Sequence, residues 1–309
     1  MGAIRTVSLI GLGAIGAAYG SKLQEYLGDS FRVIANAERV SRYEKSPFEI
    51  NGKEYRFHYI TPEMDTEPAD LVIVAVKNAE LPQAIKDMKN HVGPNTIILS
   101  LLNGITSEEE IYNEYQNEHI LYSMSVGIDA VREANQITFS SLGRICFGEK
   151  YQSISDDVLS VKELFEQAGV PYEIPENMYR ELWWKFMLNV GVNQVTAVLR
   201  APYGVIQKVP AALELVESVM REVVAVSEKA DVHLNEDDVK RVGPTINKLS
   251  PEGKTSMLQD VEAGRKTEVE SFGKVVCELG KKYNIPTPFN EQLYQMIKVI
   301  EERAKLEAN

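Results

Sequence analysis

The sequence predicts an α/β chain, with a doubly wound parallel sheet in the N-terminal half followed by an all-helical C-terminal domain. Three observations carry that reading. Segments 71–76 (LVIVAV) and 96–101 (TIILSL) are apolar at consecutive positions, as strands covered on both faces must be. Stretches of helical periodicity at 14–27 and 80–90 separate such runs, and strand–helix–strand repetition builds a parallel sheet. Beyond Pro175 no strand-like run recurs, and long periodic segments follow one another to the end.

Taken in order, 6–10 is a β run ending at Gly11, followed by runs at 31–35, 71–76, 96–101 and 120–126. Short runs at 137–139 and 145–147, with turn residues near Gly143, read as an antiparallel hairpin, and a helix at 155–167 and a run at 171–174 close the domain. The boundary is expected near 175, giving domains 1–175 and 176–309. The second contains helical segments 176–200, 205–230, 236–248, 256–282 and 289–306. Their breaks fall at Pro202-Tyr203-Gly204, Gly243-Pro244, Pro251-Glu252-Gly253 and Pro286-Thr287-Pro288, where Pro and Gly cannot continue a helix.

Composition excludes several classes of function. The chain has 309 residues, enough for two domains, and 33 Lys and Arg against 45 Asp and Glu leave a net charge of −12. That field repels phosphate backbones and anionic lipid, so neither nucleic acid nor membrane is an expected partner. Cys146 and Cys277 lie far apart in apolar surroundings and form no CxxC pair. His58, His91, His119 and His233 are scattered, which gives no metal site and suggests surface or turn roles. The first residues, MGAIRTVSLIGLG, lack the order of a secretory leader, so a cytoplasmic protein is expected. The Val- and Ala-rich stretch 216–226 reads as core helix or as a subunit contact of a homodimer. Ser107 ahead of Glu108, Glu109 and Glu110 reads as a capped, acidic helix start.

The most specific local signal is Gly11-Leu12-Gly13-Ala14-Ile15-Gly16, a G-x-G-x-x-G that follows a strand and opens a helix. Gly11 permits the tight turn, Gly13 lets backbone N–H groups approach a pyrophosphate, and Gly16 allows close helix–strand packing. Where an NAD site would place an acid at the second strand's tip, this chain has Asn36, with Arg39 and Arg42 following. A guanidinium there can pair with a 2′-phosphate, which favours NADP over NAD; Glu38 beside it weighs the other way, and a solvated helical Arg is the alternative.

In the second half, Lys185, Asn189 and Asn193 recur at i, i+4 and i+8, forming one polar row beside an apolar stripe of Trp184, Leu188, Gly191 and Val195. Lys and Asn flanking a buried stripe need something polar to face, such as a substrate, or else they form a solvated face. Trp183 and Trp184 are placed to dry such a site. Lys77 and Asn103-Gly104 each follow a strand, where ligands collect in doubly wound sheets. Ser256 opens a further helix, where with Gln259 it could form a capping box, and Glu268 lies three turns on if that helix is unbroken across Gly264.

Together these segments resemble the ketopantoate reductases (2-dehydropantoate 2-reductases). The resemblance runs nearly end to end, on GLGAIG at 11–16, VKN around Lys77, LNG around Asn103, LWWKFMLNVGVN at 182–193 and TSMLQDVEAGRKTEVE at 255–270. It implies a Rossmann-type domain joined to a helical one, NADPH as cofactor, and reduction of 2-dehydropantoate to pantoate on the route to pantothenate and coenzyme A. It further implies Lys185 as general acid with Glu268 as its acidic partner. Asn189, Asn193 and Ser256 become contacts of a small 2-oxoacid substrate, Asn103 borders both cofactor and substrate, and Lys77 lies near the nicotinamide. The chain departs from the family pattern at Leu102, where Gln is usual, at Tyr203 and Gly253, where many members have Asn, and at Asn36 in place of a strand-tip Arg. Two alternatives stay open: a 2-oxoacid or β-hydroxyacid dehydrogenase with another substrate, and a non-catalytic dinucleotide sensor. The joint presence of Lys185 and Glu268 counts against the sensor.

Overall fold

The structure, a computed structural model, describes residues 2–151 and 154–308. The chain divides into two units between Tyr179 and Arg180. In the first unit the strands are β1 (Val7–Ile10), β2 (Phe31–Ile34), β3 (Phe48–Ile50), β4 (Lys53–Tyr55), β5 (His58–Ile60), β6 (Leu71–Val74), β7 (Ile97–Ser100), β8 (Ile120–Val126), β9 (Val131–Glu133), β10 (Gln136–Thr138), β11 (Arg144–Gly148) and β12 (Tyr172–Glu173). Its helices are α1 (Ala14–Leu27), α2 (Ala37–Lys45), α3 (Leu81–Asp87), α4 (Ser107–Tyr115) and α5 (Asp156–Ala168).

The main sheet runs β12-β11-β8-β7-β6-β1-β2-β5, parallel throughout except where β11 meets β8. Its central strands are buried at every position, as their unbroken apolar runs require. Alternate residues serve opposite faces. Val7, Leu9, Val33, Ile73 and Leu99 join one core; Ile10, Ile34, Val72, Val74 and Ile98 join the other.

The expected hairpin of 137–139 with 145–147 does not form. β11 instead pairs antiparallel with β8, and β10 pairs with β9 and β3 in a separate sheet of order β4-β3-β10-β9. Burial explains the exchange: Ile145, Cys146 and Phe147 are all buried, which requires cover on both faces, while β10 buries only Ile137. His91, expected at a surface or turn, is fully buried, its ring nitrogens bonded to the Thr66 hydroxyl and the Thr61 carbonyl.

The second unit holds most of α6 (Met178–Leu199), then α7 (Tyr203–Lys208), α8 (Pro210–Lys229), α9 (Glu236–Lys240), α10 (Val242–Ile246), α11 (Ser256–Glu262), α12 (Gly273–Tyr283) and α13 (Pro288–Ala308). Three expected helices are broken. The segment 205–230 divides at Val209, with Pro210 starting α8, 236–248 divides at Arg241, and 256–282 divides after Glu262. The last break is a Schellman-type ending: Gly264 takes φ +63°, and the Arg265 N–H reaches back to the Asp260 carbonyl at 2.8 Å. The buried side of α6 also differs from the expected stripe. Trp183, Phe186, Met187 and Val190 are fully enclosed, whereas Trp184 and Leu188 are only half-buried.

At the acidic start of α4, Ser107 is not the cap. Thr106 occupies that position with its hydroxyl directed to Glu110, and the Ser107 hydroxyl lies 2.7 Å from that of Ser100 and 2.9 Å from the Glu108 carboxyl. Glu108 is thereby carried into the interior, where burial raises its pKa from 4.5 to about 7 despite opposing hydrogen bonds from backbone and Ser107. The folded chain therefore keeps a proton that the unfolded chain releases near pH 4.5, and stability falls as pH rises from about 4.5 to about 7. Glu108→Gln should consequently be more stable than the parent at pH 8, by up to about 3 kcal/mol, with the difference vanishing near pH 4. Calorimetric melting at the two pH values checks this; equal melting at pH 8 would refute it.

Candidate functional site

The parallel register fixes one set of candidate residues. Ile10 stands opposite Ile34 and Val74, and Val74 opposite Ser100, so the segments after β1, β2, β6 and β7 leave the sheet at one level. Chain order reverses about β1, which has β2 on one side and β6 on the other, the switch point where doubly wound sheets bind ligands.

At that edge Gly11 has φ +104°, and a Cβ there would stand 2.6 Å from the Ala75 carbonyl carbon and oxygen. A Cβ on Gly16 would overlap the Gly11 carbonyl oxygen. Gly13, the N-cap of α1, differs: the nearest atom to its Cβ would be the Ala75 oxygen at 3.9 Å, and it brings no side-chain cap to the helix. Backbone N–H groups at that end therefore suit a diphosphate, and the residues present fit a dinucleotide. Leu12 is buried, Ala14 and Ile15 are half-buried, and the Arg132 guanidinium donates to the Leu12 carbonyl while stacking 5.1 Å over Phe48. Arg132 lies on β9, far along the chain, and no local pattern announced it.

At the tip of β2, Asn36 caps α2, its side-chain oxygen accepting from the Arg39 N–H at 2.9 Å. Its Nδ2 remains as the donor for a ligand. The Arg39 guanidinium is exposed and pairs with Glu80 at 3.0 Å, while that of Arg42 sits 5.2 Å over the Tyr43 ring. Lys77 begins the turn Asn78–Glu80, and the Asn78 amide donates to the Asn103 carbonyl at 2.9 Å, joining the segments that follow β6 and β7. Gly104 takes φ +108° directly after Asn103.

The other candidates lie in the second unit. Lys185 and Asn189 are half-buried on α6, and Asn193 is 7% exposed one turn further on. The cap of α11 is Thr255, whose hydroxyl accepts from the Leu258 N–H at 3.2 Å, so Ser256 is not consumed by the expected capping box. The Thr255 hydroxyl also lies 2.8 Å from that of Thr196, which itself bonds the Asn193 carbonyl. This pair of buried threonines holds the start of α11, and hence Ser256, against α6 near Asn193.

Glu268 is not on the helix of Ser256, because α11 ends before Gly264. It caps a short 3-10 turn, Val269–Ser271, and follows Thr267, whose N–H and hydroxyl both bond Glu301 at 2.8 and 2.7 Å. Phe272, just past the turn, meets Phe186 at 6.4 Å between ring centroids, next in sequence to Lys185. The two tryptophans do not share the role expected of them. Trp183 is core, and Trp184 bonds the Asp238 carbonyl at 3.3 Å beneath the Arg241 guanidinium. Among the described residues, no group of three or more His, Cys, Asp and Glu is arranged to hold a metal, and no helix is long and apolar enough to cross a membrane.

Comparison with known proteins decides the family. The model of the ketopantoate reductase PanE/ApbA family matches residues 7–152, and that of its C-terminal part matches 177–301. The chain belongs to the ketopantoate reductase family. It is 31% identical to the 2-dehydropantoate 2-reductase of Aquifex aeolicus over 307 residues, covering 95% of this chain and 96% of that one. A 2-dehydropantoate 2-reductase structure from Methylococcus capsulatus superposes with a TM-score of 0.82 at 26% identity, covering 97% of both chains. The fold is shared more widely: a D-mandelate dehydrogenase bound to NADH reaches a TM-score of 0.87 at 19% identity, covering 97% of this chain and 99% of that one. Membership makes the protein an oxidoreductase of an NAD(P)-dependent family.

The glycine geometry gives a paired test of the reductase loop. Gly16→Ala forces the loop away from Gly11 and should cost about 1–3 kcal/mol of stability together with dinucleotide affinity. Gly13→Ala should leave melting unchanged and weaken dinucleotide binding alone, read by nicotinamide fluorescence. Equal melting losses in both variants would contradict the assignment.

Proposed function

We propose that the protein reduces 2-dehydropantoate to pantoate with NADPH, and that Lys185 is the general acid. The observation that carries this reading is the polar row of Lys185, Asn189 and Asn193 on a mostly apolar α6, with Ser256 held beside it by the Thr196–Thr255 contact, in a chain of this family. When bound, NADPH supplies a hydride to the 2-carbonyl carbon. The Lys185 ammonium donates a hydrogen bond to the carbonyl oxygen as negative charge develops there, then passes it a proton. Such help is worth typically 10²–10⁴-fold in rate. Glu268 faces the same chemistry as the acidic partner that keeps the ammonium oriented. Asn189, Asn193 and Ser256 offer the amides and hydroxyl that a short hydroxylated carboxylate needs, and Asn103, at the β7 edge, serves both ligands. Lys77 and the glycine loop belong to the dinucleotide. A homodimer is part of the proposal, supported by the dimeric ketopantoate reductase of Staphylococcus aureus among the structural neighbours.

A specific observation favours a second reading, reduction of a 2-oxoacid with another side chain. Tyr203 and Gly253, both departures from the family pattern, touch each other: a Cβ on Gly253 would stand 3.0 Å from the Tyr203 ring. This half-buried phenol, its pKa raised by burial, starts α7 and packs against the segment leading into Ser256.

Absorbance of the reduced nicotinamide, followed with NADPH and a panel of 2-oxoacids, tests both. The highest kcat/KM on 2-dehydropantoate supports the first reading, and the highest on another acid supports the second. Lys185→Met should lower kcat by about 10³-fold while leaving NADPH affinity within about threefold. An unchanged kcat removes Lys185 from the acid role.

A further inference from the structure

The pairing of Arg39 with Glu80 joins the segments that follow β2 and β6, which leave the sheet at one level on either side of β1. Glu80 closes the turn after β6. One carboxylate oxygen lies 3.0 Å from Arg39 Nη2, and the other accepts from the Lys77 N–H at 3.4 Å. Both side chains are close to half exposed, at 45% and 48%, so water can replace either partner and the bridge adds little to the fold. Its consequence is electrostatic. A fixed negative charge stands against the guanidinium best placed to meet a ribose 2′-phosphate, since Arg42 is stacked on Tyr43. At the same time the residue at the tip of β2 is Asn36 and not an acid, its side-chain oxygen engaged in capping α2, and the next acid, Glu38, stands in the first turn of that helix.

We infer that Glu80 is the second half of a selector for the ribose 2′-position, an inference that rests on the dinucleotide reading of the glycine loop. Toward NADPH, Glu80 competes with the 2′-phosphate for Arg39 and repels it. Toward NADH, it holds Arg39 in place and supplies the carboxylate, absent from the tip of β2, that accepts from the 2′-hydroxyl. The protein therefore binds both dinucleotides, and its preference is far weaker than an unopposed arginine would give.

Titration of nicotinamide fluorescence with NADPH and NADH at one ionic strength tests this in the parent, E80Q and R39M proteins. E80Q should tighten NADPH about tenfold and weaken NADH severalfold, while R39M should weaken NADPH about tenfold and NADH by less than about threefold. Equal shifts of both dinucleotides in E80Q, or none, overturn the selector while the dinucleotide site stands. A parent protein that binds neither overturns the site and the selector together. Melting curves of E80Q that match the parent confirm that the shift arises at the site.

Discussion

The cofactor half of the molecule depends on one steric constraint, the approach of the Gly11 and Gly16 backbone to the end of β6. With φ at +104° and the Ala75 carbonyl where a side chain would begin, Gly11 lets β1 turn at once into α1. Gly16 then lets the first turn of that helix rest on the Gly11 carbonyl. Because β1 lies in parallel register with both β2 and β6, the same turn sets the level at which Asn36 and Lys77 emerge, and Asn78 extends it to Asn103. A site assembled from four separate segments thus inherits its geometry from two absent side chains.

The helical half solves a different problem. Mostly apolar around its circumference, α6 has little amphipathic character to orient it, so buried polar contacts fix its rotation. Gln194 donates to Val190 and Asn290. Asn290 donates to Glu222, which also accepts from the Phe289 and Asn290 backbone N–H groups at the start of α13. Close approach at Gly191, where a Cβ would stand 2.6 Å from Met220, locks the same helix against α8. Once α6 cannot rotate, the azimuth of Lys185, Asn189 and Asn193 is set.

Much of this was legible from local pattern. The continuous apolar runs at 71–76 and 96–101 belong to the doubly buried strands β6 and β7, and GLGAIG falls in its expected strand–turn–helix setting. What escaped has a physical cause in each case. β3, β4, β9 and β10 are each three residues long with exposed positions, too brief for a period of two to register. The hairpin error arose because β11 is decided by its burial against β8. The Thr255 cap and the break at Gly264 lie within a segment whose composition suits one long helix. Arg132 on Leu12 and Glu80 on Arg39 are contacts between distant segments, and an isolated charged residue carries no sign of the partner it will meet.

The two departures at Tyr203 and Gly253 show why site residues cannot be judged singly. The Tyr203 N–H donates to the Gly253 carbonyl at 2.9 Å, the Gly204 N–H donates to the Pro251 carbonyl at 2.8 Å, and the phenol ring lies over the position of a Gly253 side chain. A side chain at 253 would press on the ring at 3.0 Å and make it shift, so the residue at one position constrains the other. This coupling joins the start of α7 to the segment ahead of Ser256. Under the proposed mechanism it acts on which acid is accepted, whereas protonation of the carbonyl oxygen rests on α6. On that proposal, selection of substrate and protonation of its oxygen are carried by different segments of the helical unit, and the first can change while the second is kept.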